Sequence, residues 1–445
     1  MKKIRLSYYT IPVILSKDND KLILIHGNTG AIDVVSTRLY SVLNNINDNV
    51  RVPESLKELL IKRGYLTYKS YVEELEYTHK LIDLKCKSDF FKSCDITWVV
   101  SYKCNFCCPY CFESNNVLSS TFSKRSVDKV YSSIDNYIEE NKIIKRPQIV
   151  LFGGEPLLAE NRKIVEYIVS EGVKRGCLFS AVTNGYDLDE YMDLICCEKI
   201  SKLQITLDGT KQMHDSRRFH YKDGATFDKI IQNIQRIKEK NVKVAIRMNV
   251  DRDGVVEFAK LYNYLQDIGL LCDNISVYAA RLMEYEDVDL SIREDISIPS
   301  VREYMDMQKE NNTADKCKDY DLKSRFLYAI NNNTAFPFKT VGCAISKGGV
   351  VVDPFGYLYP CWELVGKKEY IIGNYFRGKF ALNNAALKWH RSMLLTDENC
   401  RSCKFALICG GGCPKRNGIE RRQNCFLFQQ IFKTVVNNAF YEIQG

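Results

Sequence analysis

Between residue 95 and about 283 the sequence alternates short β-branched runs with longer helical ones, and no other feature restricts the fold as much. The strand-like runs cover 96–101, 148–152, 179–183, 203–207, 244–250 and 275–279; helical spacing fills 126–140, 162–174, 227–240 and 255–266. Parallel neighbours in a sheet need a crossover between them, so this order builds an α/β fold with a parallel sheet or barrel, and ligands gather at the carboxyl ends of its strands. Six units fit a partial (β/α)6 barrel better than a closed eight-unit one. At 445 residues the chain exceeds one typical domain, so further cores are expected on either side.

Residues 1–90 read as a separate small unit. β-rich runs at 4–16, 21–26 and 31–35, with Gly27-Asn28-Thr29-Gly30 as a turn, precede helical stretches at 37–45 and 54–62, the second opened by Pro53. Strands followed by two helices suggest a winged-helix-like binding module, which a longer amphipathic helix over 71–91 joins to the barrel at 91–283. Residues 284–335 form a charged bridge whose fold the pattern leaves open apart from a helix at 322–331. In the last region, 336–445, helix signals weaken and cysteines concentrate.

Eighteen cysteines in so long a chain do not indicate a disulfide scaffold, because such scaffolds are small. The start, Met1-Lys2-Lys3-Ile4-Arg5, has no apolar signal core, and no run approaches the roughly eighteen apolar residues of a spanning helix. A cytoplasmic protein with no membrane partner is expected. Net charge +8 is spread over 63 basic and 55 acidic residues, which describes a solvated surface and not a nucleic-acid stripe.

The chemistry begins right after the first barrel strand, in Cys104-Asn105-Phe106-Cys107-Cys108-Pro109-Tyr110-Cys111. Three thiolates at C-x3-C-x2-C spacing ligate three irons of a cubane and leave the fourth reactive; Cys107 falls outside the spacing. Spacing alone leaves a zinc knuckle open, with Cys86 or Cys94 as its fourth ligand. Three later strands end in Gly153-Gly154-Glu155-Pro156, Thr183-Asn184-Gly185 and Thr206-Leu207-Asp208-Gly209, and His214-Asp215-Ser216-Arg217-Arg218 follows. Near the end stand Cys343, then Gly356 and Cys361, then Cys400, Cys403, Cys409 and Cys413 as C-x2-C-x5-C-x3-C, and finally Cys425. A zinc ribbon groups its ligands in pairs, and an odd count of seven suits it poorly.

Cys104, Cys108 and Cys111, with Tyr110 before the last, resemble the radical S-adenosylmethionine (SAM) superfamily, and Cys111-Phe112-Glu113 is similar to its peptide-modifying branch. The seven later cysteines resemble the SPASM domain of that branch. The resemblance implies SAM and three [4Fe-4S] clusters. Cys104, Cys108 and Cys111 would hold the SAM cluster; Cys400, Cys403, Cys409 and Cys425 an outer auxiliary cluster; Cys343, Cys361 and Cys413 an inner one. The inner set is one ligand short, so either Cys317 completes it or its open iron takes a substrate thiolate. Gly153, Gly154, Glu155 and Pro156 would hold the methionine amino group of SAM, Asn184 and Thr206 would line its ribose and carboxylate, and Arg218 would pair with that carboxylate. Glu363, beside Cys361, is a candidate base. The implied activity is a thioether cross-link in a ribosomal precursor peptide, captured by its leader on the first module and served by a flavodoxin or ferredoxin-type reductant. The alternatives are a carbon–carbon cross-linking maturase, an anaerobic sulfatase maturase, and a non-enzymatic electron-transfer or zinc scaffold.

Overall fold

The computed structural model describes residues 3–46, 52–89, 94–113, 118–284, 296–416 and 418–444. Two compact units interleave along the chain: 1–90, 319–346 and 391–445 form one, and 91–318 with 347–390 the other.

In the first unit β1 (Arg5–Leu6), β2 (Thr10–Ile14), β3 (Lys21–His26), β4 (Ile32–Ser36) and β5 (Leu66–Thr67) make two small sheets, with β1 paired to β5 and the other three antiparallel in chain order. Alternation sends Leu22 and Leu24 of β3 to one face, where they meet Leu43 and Leu60 from the helices that follow and Tyr65 just before β5. Those helices are Thr37–Asn44, capped by the Ser36 side chain, and Glu54–Arg63, which stops at Gly64 in the left-handed region at φ 97°. On the opposite face of the sheet Ile11, Val13, Ile23 and Ile25 are fully buried. Each such side chain contributes about 1.5–3 kcal/mol over exposure. The C-terminal helix, Gly418–Gln444, runs beside β2: Ser16 N donates to Asn437 Oδ1 (2.8 Å) and Lys17 N to Tyr441 Oη (2.9 Å). This 27-residue helix is the clearest departure from expectation. Its buried Leu427, Ile431, Phe432, Val435, Val436 and Ala439 do keep helical spacing.

The second unit contains the expected partial barrel. β6 (Asp95–Ser101), β7 (Gln148–Gly153), β8 (Leu178–Thr183), β9 (Ile200–Thr206), β10 (Lys243–Val250) and β11 (Ile275–Arg281) pair in parallel, in order. The crossover helices are amphipathic; in Phe227–Lys238, Ile230, Ile231, Ile234 and Ile237 all face inward. Beyond β6 the sheet continues through β12 (Val350–Val352), parallel to β6, and then β13 (Tyr357–Tyr359), β14 (Gly373–Asn374) and β15 (Ala381–Leu382), each antiparallel to its predecessor. In the bridge, Ser300 and Glu303 form a capping box for the helix Val301–Glu310, a signal present in the sequence as Ser-x-x-Glu. Among the described residues no helix is long and apolar enough to cross a membrane.

Candidate active site at the mouth of the barrel

The three-cysteine nest starts just past β6, where the ends of β6 and β7 lie too close for side chains. A Cβ on Gly153 would stand 2.2 Å from the Ser101 carbonyl oxygen, and one on Gly154 2.5 and 2.6 Å from those of Lys103 and Tyr102. The same approach lets Gly154 N donate to Ser101 O (3.0 Å) and Glu155 N to Lys103 O (2.8 Å). The Gly-Gly-Glu segment is thereby tied to the residues that lead into Cys104, with Pro156 buried behind it.

Glu155 is 2% exposed, and its carboxylate already has three donors: Leu157 N (2.9 Å) and Thr183 Oγ1 (2.7 Å) on Oε1, and Asn184 N (2.6 Å) on Oε2. These fill three of a carboxylate's ~four acceptor positions and clamp the end of β7 to the end of β8. Burial pushes the carboxyl up to about 7 against the pull of those donors. Asn184 extends the clamp, donating through Nδ2 to Asn105 Oδ1 within the nest (2.7 Å) and accepting from Tyr186 N (2.9 Å). Thr206 closes β9 and is buried.

The two arginines have different tasks. Arg217 is locked in a buried bidentate pair with Asp251 (2.6 and 3.1 Å). Arg218 instead faces the nest: its guanidinium carbon lies 5.7 Å from the Phe106 ring centre, Nη1 donates to Tyr110 Oη (3.0 Å), and Cys108, Cys104 and Cys111 all lie within its electrostatic reach. Arg218 Nε has no hydrogen-bond partner, nor has Oδ2 of the buried Asp208, 3.8 Å from Arg218 Nη1. A relay aims Arg218. Asp208 N–H donates to His214 Nδ1 (3.1 Å), which leaves the proton on Nε2 to bond Thr226 Oγ1 (3.0 Å), and Thr226 Oγ1 donates to the Arg218 carbonyl (2.6 Å). Asp215 Oδ1 meanwhile accepts from Thr226 N and Phe227 N, holding the start of the next helix.

The donor set suits an iron–sulfur cluster. Cys104 interacts electrostatically with Cys108 and Cys111; desolvation pushes all three thiols up, Cys111 to about 12, and bound iron would favour their thiolate forms. Arg218 offsets that negative charge from one side, and Tyr110, Leu282 and Ile296 cover Cys108 with apolar surface. Neither proposed fourth zinc ligand shares the nest's own turn. Cys94 precedes the seven-residue β6 whose far end leads to the nest, and Cys86 lies in an apolar cluster with Ile82, Leu394 and Leu407 in the other unit. At ~3.3 Å per residue β6 alone separates Cys94 from the nest by roughly 20 Å. Among the described residues no three His, Cys, Asp or Glu side chains form a group that would hold one metal ion.

Four of the later cysteines converge within the first unit. Cys400 lies within electrostatic reach of Cys425 and Cys409, Cys403 of Cys425, and Cys409 of Cys403 and Cys425. Asp397 Oδ1 caps the turn that carries Cys400 (2.9 Å to its N–H), and Arg421 on the C-terminal helix pairs with the same carboxylate. Gly410, Gly411 and Gly412 all take positive φ, and a Cβ on Gly342 would meet Gly412 N and O at 2.6 and 2.5 Å. That backbone contact brings together the segments that carry Cys343 and Cys413. Cys361 belongs to the second unit, on the turn after β13, and Glu363, two residues on, is half-buried. Cys317 is buried beside β11, its Sγ 3.4 Å from Tyr304 Oη.

The sequence motif Cys-Phe-Glu had given Glu113 no task. In the structure its carboxyl stands within electrostatic reach of Cys111 and Tyr102, and Oε1 is buried without a partner. Only its place two residues beyond Cys111 could have drawn attention to it.

Residues 98–265 match the radical SAM superfamily. The radical SAM cyclopropyl synthase TigE of Paramaledivibacter caminithermalis is 24% identical over 443 residues, covering 90% of this chain and 87% of TigE. A cysteine-type anaerobic sulfatase-maturating enzyme of Clostridium novyi is 23% identical, covering 77% of this chain and 94% of that enzyme. The solved structure of anSMEcpe with AdoMet and the Kp18Cys peptide shares the fold at TM-score 0.57 and 19% identity, over 78% of this chain and 99% of that one. With the cysteine nest, the strand-end motifs and the second set of cysteines already in place, these likenesses identify a radical SAM domain at 98–265 in a chain similar to peptide-modifying radical SAM enzymes of the SPASM type.

Proposed function

We propose that this maturase installs a thioether, from a cysteine sulfur to a carbon of another residue, in a ribosomally made precursor peptide. The observation that carries the reading is the pairing of two cysteine groups: the nest facing Arg218, and the four thiols gathered near Asp397 in the unit that also holds the small N-terminal sheet. When bound and reduced, the first cluster with SAM supplies a 5'-deoxyadenosyl radical able to take hydrogen from an unactivated carbon. The chain's own contribution is position. Glu155 and Asn184 fix the strand ends around the nest, and Arg218 offers its unpaired Nε donor to the SAM carboxylate. Joining sulfur to carbon removes two hydrogens, so a second electron must leave; Cys400, Cys403, Cys409 and Cys425, and Cys343, Cys361 and Cys413, would hold auxiliary clusters able to take it. Cys317, packed against Tyr304, is left out of that set.

Leader capture is assigned to the edge of the three-stranded sheet that pairs with no further strand among the described residues. The C-terminal helix lies along β2, and β4 is the other edge of the three-stranded sheet, where an extended leader adds as a further strand. A flavodoxin or ferredoxin-type protein is the proposed reductant. One observation favours a second reading, carbon–carbon bond formation: TigE is a cyclopropyl synthase. The sulfatase-maturase reading is less well supported, because about a fifth of this chain has no counterpart in anSMEcpe, which matches over 78% of it.

The test is anaerobic. Reduced enzyme with SAM should release 5'-deoxyadenosine, and co-expression with a neighbouring cysteine-containing small gene should yield a peptide lighter by two hydrogens and lacking alkylatable thiols. A peptide that loses two hydrogens but keeps every thiol reactive refutes the thioether and leaves the carbon–carbon reading standing.

A further inference from the structure

The lumen of the partial barrel has two unlike walls, and one charge on them is unspent. In β6, Trp98 packs on Tyr131 of the helix Lys124–Asn141, so Val99 faces the lumen, as does its register neighbour Phe152; there they cluster with Val351 and Val182. In β10, Met248 and Val250 lie against Gly254 at the start of the helix Gly254–Asp267, so the alternate residues Ala245, Arg247 and Asn249 face inward. These three are half-buried, whereas Val244, Ile246, Met248 and Val250 are fully buried. One wall is thus apolar and the other polar.

Arg247 stands in register between Thr206 of β9 and Tyr278 of β11. Tyr278 Oη donates to Gln204 Oε1 (2.9 Å), so those two side chains satisfy each other. Arg247 Nε donates to Asn249 Oδ1 (3.0 Å), which fixes the plane of the guanidinium. Nη1 and Nη2 make no hydrogen bond or ion pair among the described residues, and neither is enclosed. Asp208 lies within electrostatic reach but is committed elsewhere: Oδ1 accepts from Asn249 N (2.9 Å), and Oδ2 lies 3.8 Å from Arg218 Nη1. The nest thiols Cys108 and Cys111 lie within reach of Arg218, while Arg247 acts on Asp208 and Tyr278.

We propose that Arg247 receives a carboxylate side chain, aspartate or glutamate, of the precursor peptide's core segment in the barrel lumen. The inference rests on the reading of this chain as a peptide maturase and names a feature of its substrate. A planar guanidinium with both terminal nitrogens free matches a carboxylate in a two-bond fork, the mode Arg217 shows with Asp251. Partial withdrawal from water strengthens such a pair, and a peptide without the acid leaves the half-buried cation unpaired, so the site discriminates by loss as well as by gain. The pair sets how deep the peptide sits, with its apolar side chains toward Val99, Phe152 and Val182.

The capped peptide acetyl-Leu-Asp-Leu-amide, its asparagine and lysine counterparts, and the asparagine peptide with a free C-terminal carboxylate are titrated into anaerobically purified holoenzyme saturated with SAM, by ligand-observed NMR. The aspartate peptide should bind about tenfold more tightly than the capped asparagine peptide. Arg247→Gln should remove that preference, Arg247→Lys should reduce it about threefold as a point charge replaces a fork, and Arg247→Glu should transfer it to the lysine peptide, which a purely structural arginine would not do. Iron content is measured on every variant, and if Arg247→Gln loses iron, Arg247→Lys decides. Equal binding of the aspartate and capped asparagine peptides, a preference that survives in Arg247→Gln enzyme with full iron, or an unchanged preference in Arg247→Lys enzyme overturns the proposal. SAM bound about tenfold more weakly by Arg247→Lys enzyme assigns Arg247 to the cofactor and overturns it too. A free-acid peptide that binds as tightly as the aspartate peptide overturns the side-chain assignment. Failure to release 5'-deoxyadenosine would count against the maturase reading and leave the binding preference intact.

Discussion

Replacing Glu155 by glutamine separates two tasks that one carboxylate could perform. The wild-type group accepts Leu157 N and Thr183 Oγ1 on one oxygen and Asn184 N on the other. Glutamine retains one carbonyl oxygen, which belongs on the side with two donors, and so turns an NH2 group toward the Asn184 N–H. The Asn184 amide loses a charge-assisted bond and stays buried without an acceptor, a change of about 2–3 kcal/mol. At 1.36 kcal/mol per factor of ten, its hydrogen exchange should accelerate about 30- to 150-fold, while the Leu157 amide should stay within about threefold of wild type. The comparison belongs at pH 8, where a carboxyl raised to about 7 is mostly ionised in the wild-type chain. Peptide-resolved exchange over 155–158 and 182–186 provides the readout. Wild-type rates at both amides, together with SAM binding weakened tenfold or more, would refute the clamp and return Glu155 to direct SAM binding.

Arg217→Ala strands the carboxylate of Asp251, which is 0% exposed, and should destabilise the second unit by about 3–5 kcal/mol, seen as a lower melting temperature. Arg218→Ala breaks a longer, single contact with the buried Asp208 (3.8 Å), so it should lower the melting temperature less than Arg217→Ala and should weaken SAM binding. Gly154→Ala puts a methyl 2.5 Å from the Lys103 carbonyl oxygen, so the strand end leading into Cys104 must move; iron at the first cluster and 5'-deoxyadenosine yield should fall while the four-thiol site of the first unit stays loaded. Burial lowers the His26 imidazole to about 4, so the folded chain binds fewer protons than the unfolded one between that value and 6.5. Stability is therefore full above pH 6.5 and declines on acidification, by about 2 kcal/mol at pH 5, and His26→Gln should flatten that part of the melting-temperature profile.

Local pattern alone determined the barrel. The six strand runs and the helices at 162–174 and 322–331 needed only period and punctuation, and cysteine spacing is itself a statement about coordination chemistry. The sequence could not show what depends on distant segments meeting. β12, β13, β14 and β15 are two or three residues long, too short for any periodicity, and exist because β6 presents an edge to pair with. The helix Gly418–Gln444 is fixed by burying a stripe beside β2, some four hundred residues earlier in the chain. The same holds within the active site. His214-Asp215-Ser216-Arg217-Arg218 gives no hint of which arginine is free, and the answer came from Asp251 on a later turn, which holds Arg217 and leaves Arg218 to the nest. Glu155 is a carboxylate suited to an ammonium until β8 brings Thr183 and Asn184 against it. Residue type sets what a group can bond; only the tertiary fold decides which bonds are already made.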